Sequence, residues 1–402
     1  MLLDLPSNRL EGWRWSDLSA LPDIAARRPG GATPGDLPWI ACDGEGPRLV
    51  FIDGRLDESR STLGPLTIGP VEARADDHPL ARLTGQQGWS LRLGRDHAPA
   101  GIIQVIHVST GAADHLPAEI ALDADAQASI VETYVGSGWT NRLTGIRLAK
   151  SARLMLSRRL IGESGFVSLT DRATLGEGAS LVSVTLAAGG ADTRLDGHID
   201  LQGEEGFAEA GGALLARGKQ RHDANLVLRH SAPHGMSRQV WRSVADDQAT
   251  CSVAARVEVA RGAQKTDGEQ SLRGLLLQRS ATINAKPELE IFADDVKCAH
   301  GATVGELDRN ALFYLASRGV PLEEAKALLT QAFVADAIDR IGEEKVRDAF
   351  HADAMKWLSL KALPLDGGGL GGGDVSGNTQ PSDVDHPHPA SPIKGEGKEG
   401  PR

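Results

Sequence analysis

The sequence predicts a mainly β protein in which a long strand-rich region is followed by helices. Between about residues 102 and 300, short apolar runs alternate with Gly, Asp, Ser and Asn, and no helical period interrupts them. Aromatic residues make up 4% of the 402 residues and there are 47 glycines, so the core must consist mainly of Leu, Val, Ile and Ala. Such a core favours many thin layers of short strands, and the chain is long enough for two or three domains.

The N-terminal region combines a short helical start with a strand. Residues 8–21 place two tryptophans and several leucines among charged residues, which predicts a short helix that is broken at Pro22. Residues 48–52 (RLVFI) are typical of a strand that runs into a turn at Asp53.

Residues 193–201 show the alternation expected of a strand. One predicted face is apolar and the other is polar. The apolar face carries Leu195, Ile199 and Leu201, and the polar face carries Arg194, Asp196 and His198.

A loose internal repeat is also present in the strand-rich region. Ala128, Ala152 and Ala179 each lead into a strand-like run, at steps of 24 and 27 residues. This spacing is close to one coil of a parallel β-solenoid, in which each coil buries its apolar face against its neighbours. A β-sandwich also has short strands at regular spacing, so the spacing leaves both folds open.

The C-terminal region is predicted to contain three helices. Asp308 can cap the first helix and Gly319 can end it. The second helix begins with Pro321 and ends near Gly342, and the third runs to about Leu363. The apolar stripe of the second helix consists of Ala325, Leu328, Leu329, Ala332 and Phe333.

The remaining tail is rich in Gly, Pro, Ser, Asp and His. It has too little apolar surface to offset its ordering entropy, so residues 365–402 are predicted to be disordered.

Composition excludes several classes of function. The formal charge of −11 and the lack of a basic stripe argue against nucleic-acid binding. There is no G-x-x-x-x-G-K-[ST] phosphate loop, and no apolar run is long enough to span a bilayer. Three widely spaced cysteines and an N-terminus without signal-peptide features favour a cytoplasmic protein without disulfides.

Three histidines occur close together, at positions 222, 230 and 234. The even spacing of His222 and His230 would place them on one face of a strand. The spacing matches no helical metal motif, and we expect surface or turn histidines.

Cys298 and His300 are the candidate functional pair. Residues two apart on a strand point the same way, with Cα atoms roughly 7 Å apart. A thiolate and an imidazole on one face can bind iron or zinc together. A basic neighbour can instead lower the pKa of a thiol, but Lys297 would point to the opposite face. Two ligands do not complete a metal site, so a partner or another part of the chain must supply the rest.

Several ordered stretches resemble the SufB/SufD family of iron–sulfur cluster assembly proteins. Residues 12–18 (GWRWSDL) resemble the Trp-Arg-Tyr-[Thr/Ser]-Asp-Leu opening of the family. This opening, together with the Cys-Ala-His sequence at 298–300, favours the SufD branch over the SufB branch. The other stretches are 230–239 (HSAPHGMSRQ), 262–267 (GAQKTD), 284–305 (NAKPELEIFADDVKCAHGATVG), 311–315 (ALFYL) and 317–319 (SRG).

The resemblance implies a right-handed parallel β-helix flanked by a short N-terminal helical domain and a C-terminal helical domain. The boundaries that we predict are 1–95 for the N-terminal domain, 96–304 for the β-helix and 305–364 for the C-terminal helices. The resemblance thus favours the solenoid over the sandwich.

The resemblance also implies a non-catalytic scaffold in a SufBCD complex. The chain would pair with SufB through its β-helix, bind the SufC ATPase through its C-terminal helices and depend on SufC for ATP hydrolysis. An isolated chain is expected to be able to form a homodimer. His300 and Cys298 would lie at the SufB interface, where iron or a nascent cluster is handled, while no cofactor is bound stably by this chain alone. The expected SufC contact consists of Leu312, Tyr314, Leu315, Leu328, Leu329 and Phe333.

Two other interpretations remain open. A β-helix enzyme such as a polysaccharide lyase would need clustered acidic and basic residues on one face of the solenoid. A structural partner of SufB would leave Cys298 and His300 chemically inert.

Overall fold

The computed structural model describes residues 3–30, 35–42 and 46–359. The predicted disordered tail at 365–402 lies outside these residues. The helices are α1 (Leu21–Ala25), α2 (Arg309–Ser317), α3 (Leu322–Ile338) and α4 (Glu344–Ser359). The strands are β1 (Arg48–Ile52), β2 (Arg55–Leu56), β3 (Leu66–Pro70), β4 (Gln87–Leu93), β5 (Ile103–Leu122), β6 (Gln127–Leu148), β7 (Arg153–Leu160), β8 (Phe166–Leu175), β9 (Ser180–Ala187), β10 (Asp192–Leu201), β11 (Phe207–Ala216), β12 (Arg221–His230), β13 (Met236–Ala245), β14 (Thr250–Val259), β15 (Asp267–Leu276), β16 (Thr282–Ile291) and β17 (Lys297–Glu306).

The strands form a parallel β-solenoid of about eight turns. The chain alternates between two facing sheets, which are joined because β5 and β6 each cross from one to the other. Sheet 1 contains β1, the first halves of β5 and β6, and the odd-numbered strands β7 to β17. Sheet 2 contains β3, β4, the second halves of β5 and β6, and the even-numbered strands β8 to β16. The solenoid prediction is therefore confirmed and the sandwich alternative is wrong, while the right-handed sense stays a prediction.

The structure contains the internal repeat that the sequence predicted, but the first member of the repeat is Ala126 rather than Ala128. Arg153 N donates to Ala126 O, and Ser180 N donates to Ala152 O, each at 2.9 Å. Ala126, Ala152 and Ala179 are therefore equivalent positions, and all are fully buried. Ala128 instead pairs with Leu154. The sequence suggested Ala128 because it too is a small residue before an apolar run.

Rows of aliphatic side chains between the two sheets form the core. Ile199, Leu228 and Val257 stack in register from β10 to β14 and are 2%, 0% and 0% exposed. Burying each such side chain stabilises the fold by roughly 1.5–3 kcal/mol. Because a coil has apolar neighbours above and below, stacking supplies burial that a single coil could not provide.

The N-terminal segment packs on the outer face of sheet 2. The ring of Trp13 lies 4.3 Å from the guanidinium carbon of Arg194 on β10. Arg194 forms a bidentate ion pair with Asp196, and Ser16 donates a hydrogen bond to Asp223. The predicted helix at 8–21 is reduced to a 3-10 turn at Glu11–Trp13, and α1 begins only at Leu21.

The C-terminal helices α3 and α4 pack on the outer face of sheet 1. A bonded pair, Arg242 on β13 and Asp336 on α3, joins the helices to the sheet. The apolar contact consists of Val184, Leu186, Leu215 and Val244 from the sheet and Val334, Ile338, Ile341 and Phe350 from the helical region.

The predicted helix boundaries are correct in part. The Asp308 side chain accepts a hydrogen bond from Asn310 N (2.8 Å), and Gly319 has a left-handed φ of 86°. Pro321 is the residue before α3 rather than its first residue, and α3 ends at Ile338, before Gly342. The structure follows α4 to Ser359.

Candidate functional site at the open end of the solenoid

The last coil, formed by β16 and β17, has no other coil stacked on it within the described part of the chain. Nine of the ten residues of β17 are exposed, and the exception, Cys298, is partly buried. Phe292, just after β16, is 65% exposed, and Val304 on β17 is 44% exposed. An open sheet end with exposed apolar side chains is typical of a docking surface.

The free edge of β17 presents unpaired main-chain groups. In a parallel sheet, successive residues direct their N–H and C=O groups to opposite sides of the strand. Lys297 N donates to Thr266 O (2.8 Å), so the odd-numbered residues of β17 bond to β15. The main-chain groups of the even-numbered residues, which include Cys298 and His300, therefore point to the free edge.

The free edge of β16 is interrupted by a proline. Thr282 N donates to Ala249 O (2.9 Å), so the even-numbered residues of β16 bond to β14 and the odd-numbered ones face the free edge. Pro287 is one of these and has no N–H group to offer. The two sheets therefore differ at this end: β17 has a continuous free edge, and β16 does not.

Cys298 lies on the interior face of β17. It pairs in register with Gly268 and packs against the solenoid core. Burial raises the pKa of the Cys298 thiol, and the carboxylate of Asp267 raises it further. This shift is opposite in direction to that of an activated nucleophilic thiol. The raised pKa therefore argues against a nucleophilic role, and metal binding would require the Cys298 thiol to lose its proton.

His300 lies two residues farther along β17, in register with Gln270 of β15. Gln270 is buried on the interior face, so His300 projects from the same side as Cys298 at the open end. The strand geometry thus brings together the two residues that the sequence singled out. Their chemical role stays a prediction.

The pair does not form a complete metal site by itself. The described residues contain no group of three or more His, Cys, Asp or Glu side chains placed to hold a metal ion. Opposite the pair, the interior residues of β16 include Ala285 and Leu289, which have no ligand atoms in their side chains. Any further ligands must therefore come from outside the part of the chain that is described.

Two of the three clustered histidines were predicted wrongly. His222 and His230 lie on β12 but face the interior, and they are 1% and 0% exposed. His222 Nδ1 lies 3.0 Å from Thr193 Oγ1, and Nε2 lies 3.1 Å from Leu215 O, so both ring nitrogens have partners. His234 is exposed in the following turn, as predicted. The prediction failed because polar partners within the solenoid cannot be seen from local spacing.

The C-terminal helices provide a second exposed apolar surface, which we call the α2–α3 surface. Helix α2 buries none of its residues. Of the six residues expected at a partner contact, Tyr314 and Leu328 are exposed, at 56% and 43%. Phe313, which is 75% exposed, was not among the predicted contact residues. The other four, which are half-buried, are Leu312, Leu315, Leu329 and Phe333.

A buried polar cluster lies inside the N-terminal coils of the solenoid, away from the open end. Glu132 contacts His107 at 3.4 Å and accepts a hydrogen bond from Arg158 at 2.6 Å. Burial alone would raise the pKa of Glu132, but the Arg158 charge and the His107 contact outweigh it and lower this pKa to about 2. Arg158 also binds both carboxylate oxygens of Asp171. Because these charges are paired and enclosed, they belong to the structure rather than to an open site.

Among the described residues, no helix is both long and apolar enough to cross a membrane.

Comparison with known proteins identifies the family. Residues 106–333 match the model of the SufBD core domain of the SUF system for FeS cluster assembly. The chain is 27% identical over 369 residues to the iron–sulfur cluster assembly protein SufD of Escherichia coli, which covers 85% of this chain and 87% of the relative. It is 26% identical over 368 residues to a SufBD family protein of Mycobacterium leprae, covering 89% and 91% of the two chains.

A plant relative matches a shorter part of the chain. The chloroplastic protein ABCI7 of Arabidopsis thaliana is 31% identical over 240 residues, which is 57% of this chain and 50% of the relative. The similarity to the bacterial SufD confirms the branch that the Trp-Arg opening predicted. The family model covers more than half of the sequence, and the chain therefore belongs to the SufB/SufD family of iron–sulfur cluster assembly proteins.

Proposed function

We propose that this protein is a non-catalytic scaffold subunit that pairs with SufB through the open end of its solenoid and binds SufC through the α2–α3 surface. The observation that carries the proposal is the open last coil, where a continuous free edge, exposed apolar residues and the Cys298/His300 pair occur together. A coil left open exposes apolar and main-chain groups that a partner can cover.

The partner is expected to add its strand to β17. The main-chain groups of Cys298, His300, Ala302 and Val304 face that edge in an unbroken series, whereas Pro287 interrupts the edge of β16. A strand added to β17 would place partner side chains directly beside the cysteine and the histidine. The interface and the candidate ligands would then form one site.

Iron or a nascent iron–sulfur cluster is the substrate that we assign to this shared site. Imidazole and thiolate groups are suitable donors for iron, and SufB would supply the ligands that the described residues do not provide. His300 is the stronger candidate because its ring is exposed at the open end, while the Cys298 thiol is partly buried and its pKa is raised.

ATP hydrolysis is assigned to SufC, since this sequence has no phosphate loop. The aromatic and aliphatic residues of the α2–α3 surface are suited to anchor such a partner, because exposed side chains of this type often dominate binding energies. They include Phe313, Tyr314, Leu322 and Leu328.

Co-expression with SufB and SufC tests the proposal. We expect His300→Ala to leave the three-subunit complex intact and to lower its iron and sulfide content several-fold, by analogy with the loss of a metal ligand. His97→Ala is the matched control, because His97 is also exposed but lies far along the chain from β17. Unchanged iron and sulfide in the His300 variant would show that His300 has no role in cluster assembly. Failure of the native chain to copurify with SufB would contradict the scaffold assignment.

A further inference from the structure

A column of polar side chains continues from His300 into the solenoid. Gln239 on β13 pairs in register with Gln270 on β15, and Gln270 pairs with His300 on β17. All three project from the interior face of sheet 1. Gln239 and Gln270 are 0% and 1% exposed, which is unusual for uncharged amides facing an aliphatic core.

Both amide groups are held by hydrogen bonds across the solenoid to β14. Gln270 Nε2 donates to Ala255 O (2.8 Å), and Gln239 Nε2 donates to Arg256 O (2.9 Å). A main-chain carbonyl can only accept a hydrogen bond, so these contacts determine which end of each amide is nitrogen.

The carbonyl end of each amide is left without a donor. Gln239 Oε1 and Gln270 Oε1 are both buried and have no hydrogen-bond partner. A buried acceptor without a partner costs about 1–3 kcal/mol. Gln270 Oε1 lies one coil from the exposed His300, so its missing donor calls for an explanation.

His300 is the donor-bearing neighbour of Gln270 on the open side. Adjacent strands are about 4.8 Å apart, so stacked side chains of this length can meet. The residues facing the pair from β16, Ala285, Pro287 and Leu289, offer no competing side-chain donor or acceptor. Cys298 is the nearest polar residue on the same face of β17, and it pairs with Gly268 rather than with Gln270.

We propose that Gln270 is a positioning residue for His300. The contact is not formed in the structure, where Gln270 Oε1 has no partner, and a rotation of the exposed His300 ring would bring its N–H to that oxygen. This inference rests on the proposed function, in that the other ring nitrogen of His300 is the atom offered to iron. The hydrogen bond selects one tautomer of the neutral ring and turns the free lone pair toward the open end, where the partner docks. Without it, the exposed ring would rotate and exchange between tautomers, and the free lone pair would have no fixed direction.

Histidine NMR of the full chain tests the contact directly. The protein is labelled with ¹³C,¹⁵N-histidine, and the His300 signals are assigned by their loss in His300→Ala. We expect the ring shifts of His300 to report one tautomer in the native protein, a mixture in Gln270→Leu, and one tautomer again in Gln270→Glu, which keeps an acceptor. Gln239→Leu is the matched control, since it removes an equally buried amide one coil deeper and should leave the His300 ring shifts unchanged.

Iron and sulfide content of the co-expressed complex gives the second readout. We expect Gln270→Leu to lower both several-fold but no further than His300→Ala does, Gln270→Glu to restore most of the loss, and Gln239→Leu to have little effect. The proposal is overturned if His300 has the same ring shifts in Gln270→Leu and native protein, or if both leucine variants alter them equally. If the shifts respond as expected but His300→Ala retains full iron and sulfide, the positioning contact stands and the proposed function fails.

Discussion

Arg159 and Asp353 are 194 residues apart in the sequence and form a bidentate ion pair between sheet 1 and helix α4. Arg159 Nε and Nη2 lie 2.6 and 3.1 Å from the two carboxylate oxygens. Arg159 Nη1 also donates to Pro38 O (3.0 Å). One guanidinium thus joins the solenoid, the C-terminal helices and the N-terminal segment.

Removing the carboxylate of this pair should destabilise the protein strongly. The side chains of Arg159 and Asp353 are 7% and 14% exposed, so Asp353→Ala would leave a buried charge without its partner. We expect the free energy of unfolding, measured in urea, to fall by about 3 kcal/mol. The control is Asp4→Ala, since Asp4 pairs with Arg82 but is 88% exposed, and its loss should cost less than about 1 kcal/mol. Equal losses in the two variants would contradict this account.

Stability should fall on mild acidification because of buried neutral histidines. Burial lowers the pKa of His107, His222 and His230 to about 4. In the unfolded chain a histidine has a pKa near 6.5, so between about pH 6.5 and 4 the unfolded state binds more protons than the folded state. The free energy of unfolding therefore decreases as the pH is lowered through this window. We expect each histidine to contribute about 1.4 kcal/mol per pH unit within that window. His222→Gln should reduce the slope of the unfolding free energy against pH by one such contribution; an unchanged slope would refute the assignment.

Thiol reactivity should distinguish the two cysteines of the solenoid. Burial raises the pKa of Cys251, which is fully buried, and also that of the partly buried Cys298. In a Cys42→Ser background at neutral pH, we expect Cys298 to react with a disulfide reagent more slowly than free cysteine, and Cys251 to react only on unfolding. Cys298→Ser should remove the slow phase. A fast phase assigned to Cys298 would instead indicate an activated thiol.

Two exposed phenylalanines provide reciprocal tests of the two proposed interfaces. Phe292 adjoins the open coil and Phe313 belongs to the α2–α3 surface, and they are 65% and 75% exposed. Phe292→Asp should weaken SufB binding and spare SufC, whereas Phe313→Asp should do the reverse. A hot-spot aromatic residue is worth about 2 kcal/mol or more, so we expect roughly a tenfold loss or more in affinity. A variant that still binds one partner must be folded, so each variant carries its own folding control. If either variant loses both SufB and SufC, the two partners do not bind separate surfaces.

The solenoid and the candidate pair could be predicted from the sequence because they depend on local patterns. Alternation over residues 193–201 correctly placed Ile199 inside the solenoid, and strand parity placed Cys298 and His300 on one face. A period of two depends only on the backbone of one strand. The choice of a solenoid over a sandwich required the family resemblance as well.

Polar residues were harder to predict because their partners are distant in the sequence. Arg194 lies on the predicted outer face but is 2% exposed, since Trp13 covers it from a segment about 180 residues earlier. Glu132 and Arg158 face the interior, where period-two reasoning expects apolar residues, because they neutralise each other. The pattern of one strand carries no information about such pairings.

Pro287 has a consequence for self-association. A parallel solenoid is a one-dimensional lattice, and its open end can in principle accept identical coils without limit, as in a growing fibre. The proline removes a donor from the growing face of sheet 2, so a second copy cannot continue both sheets with full hydrogen bonding. We therefore expect Pro287 to disfavour end-to-end stacking of identical chains through sheet 2.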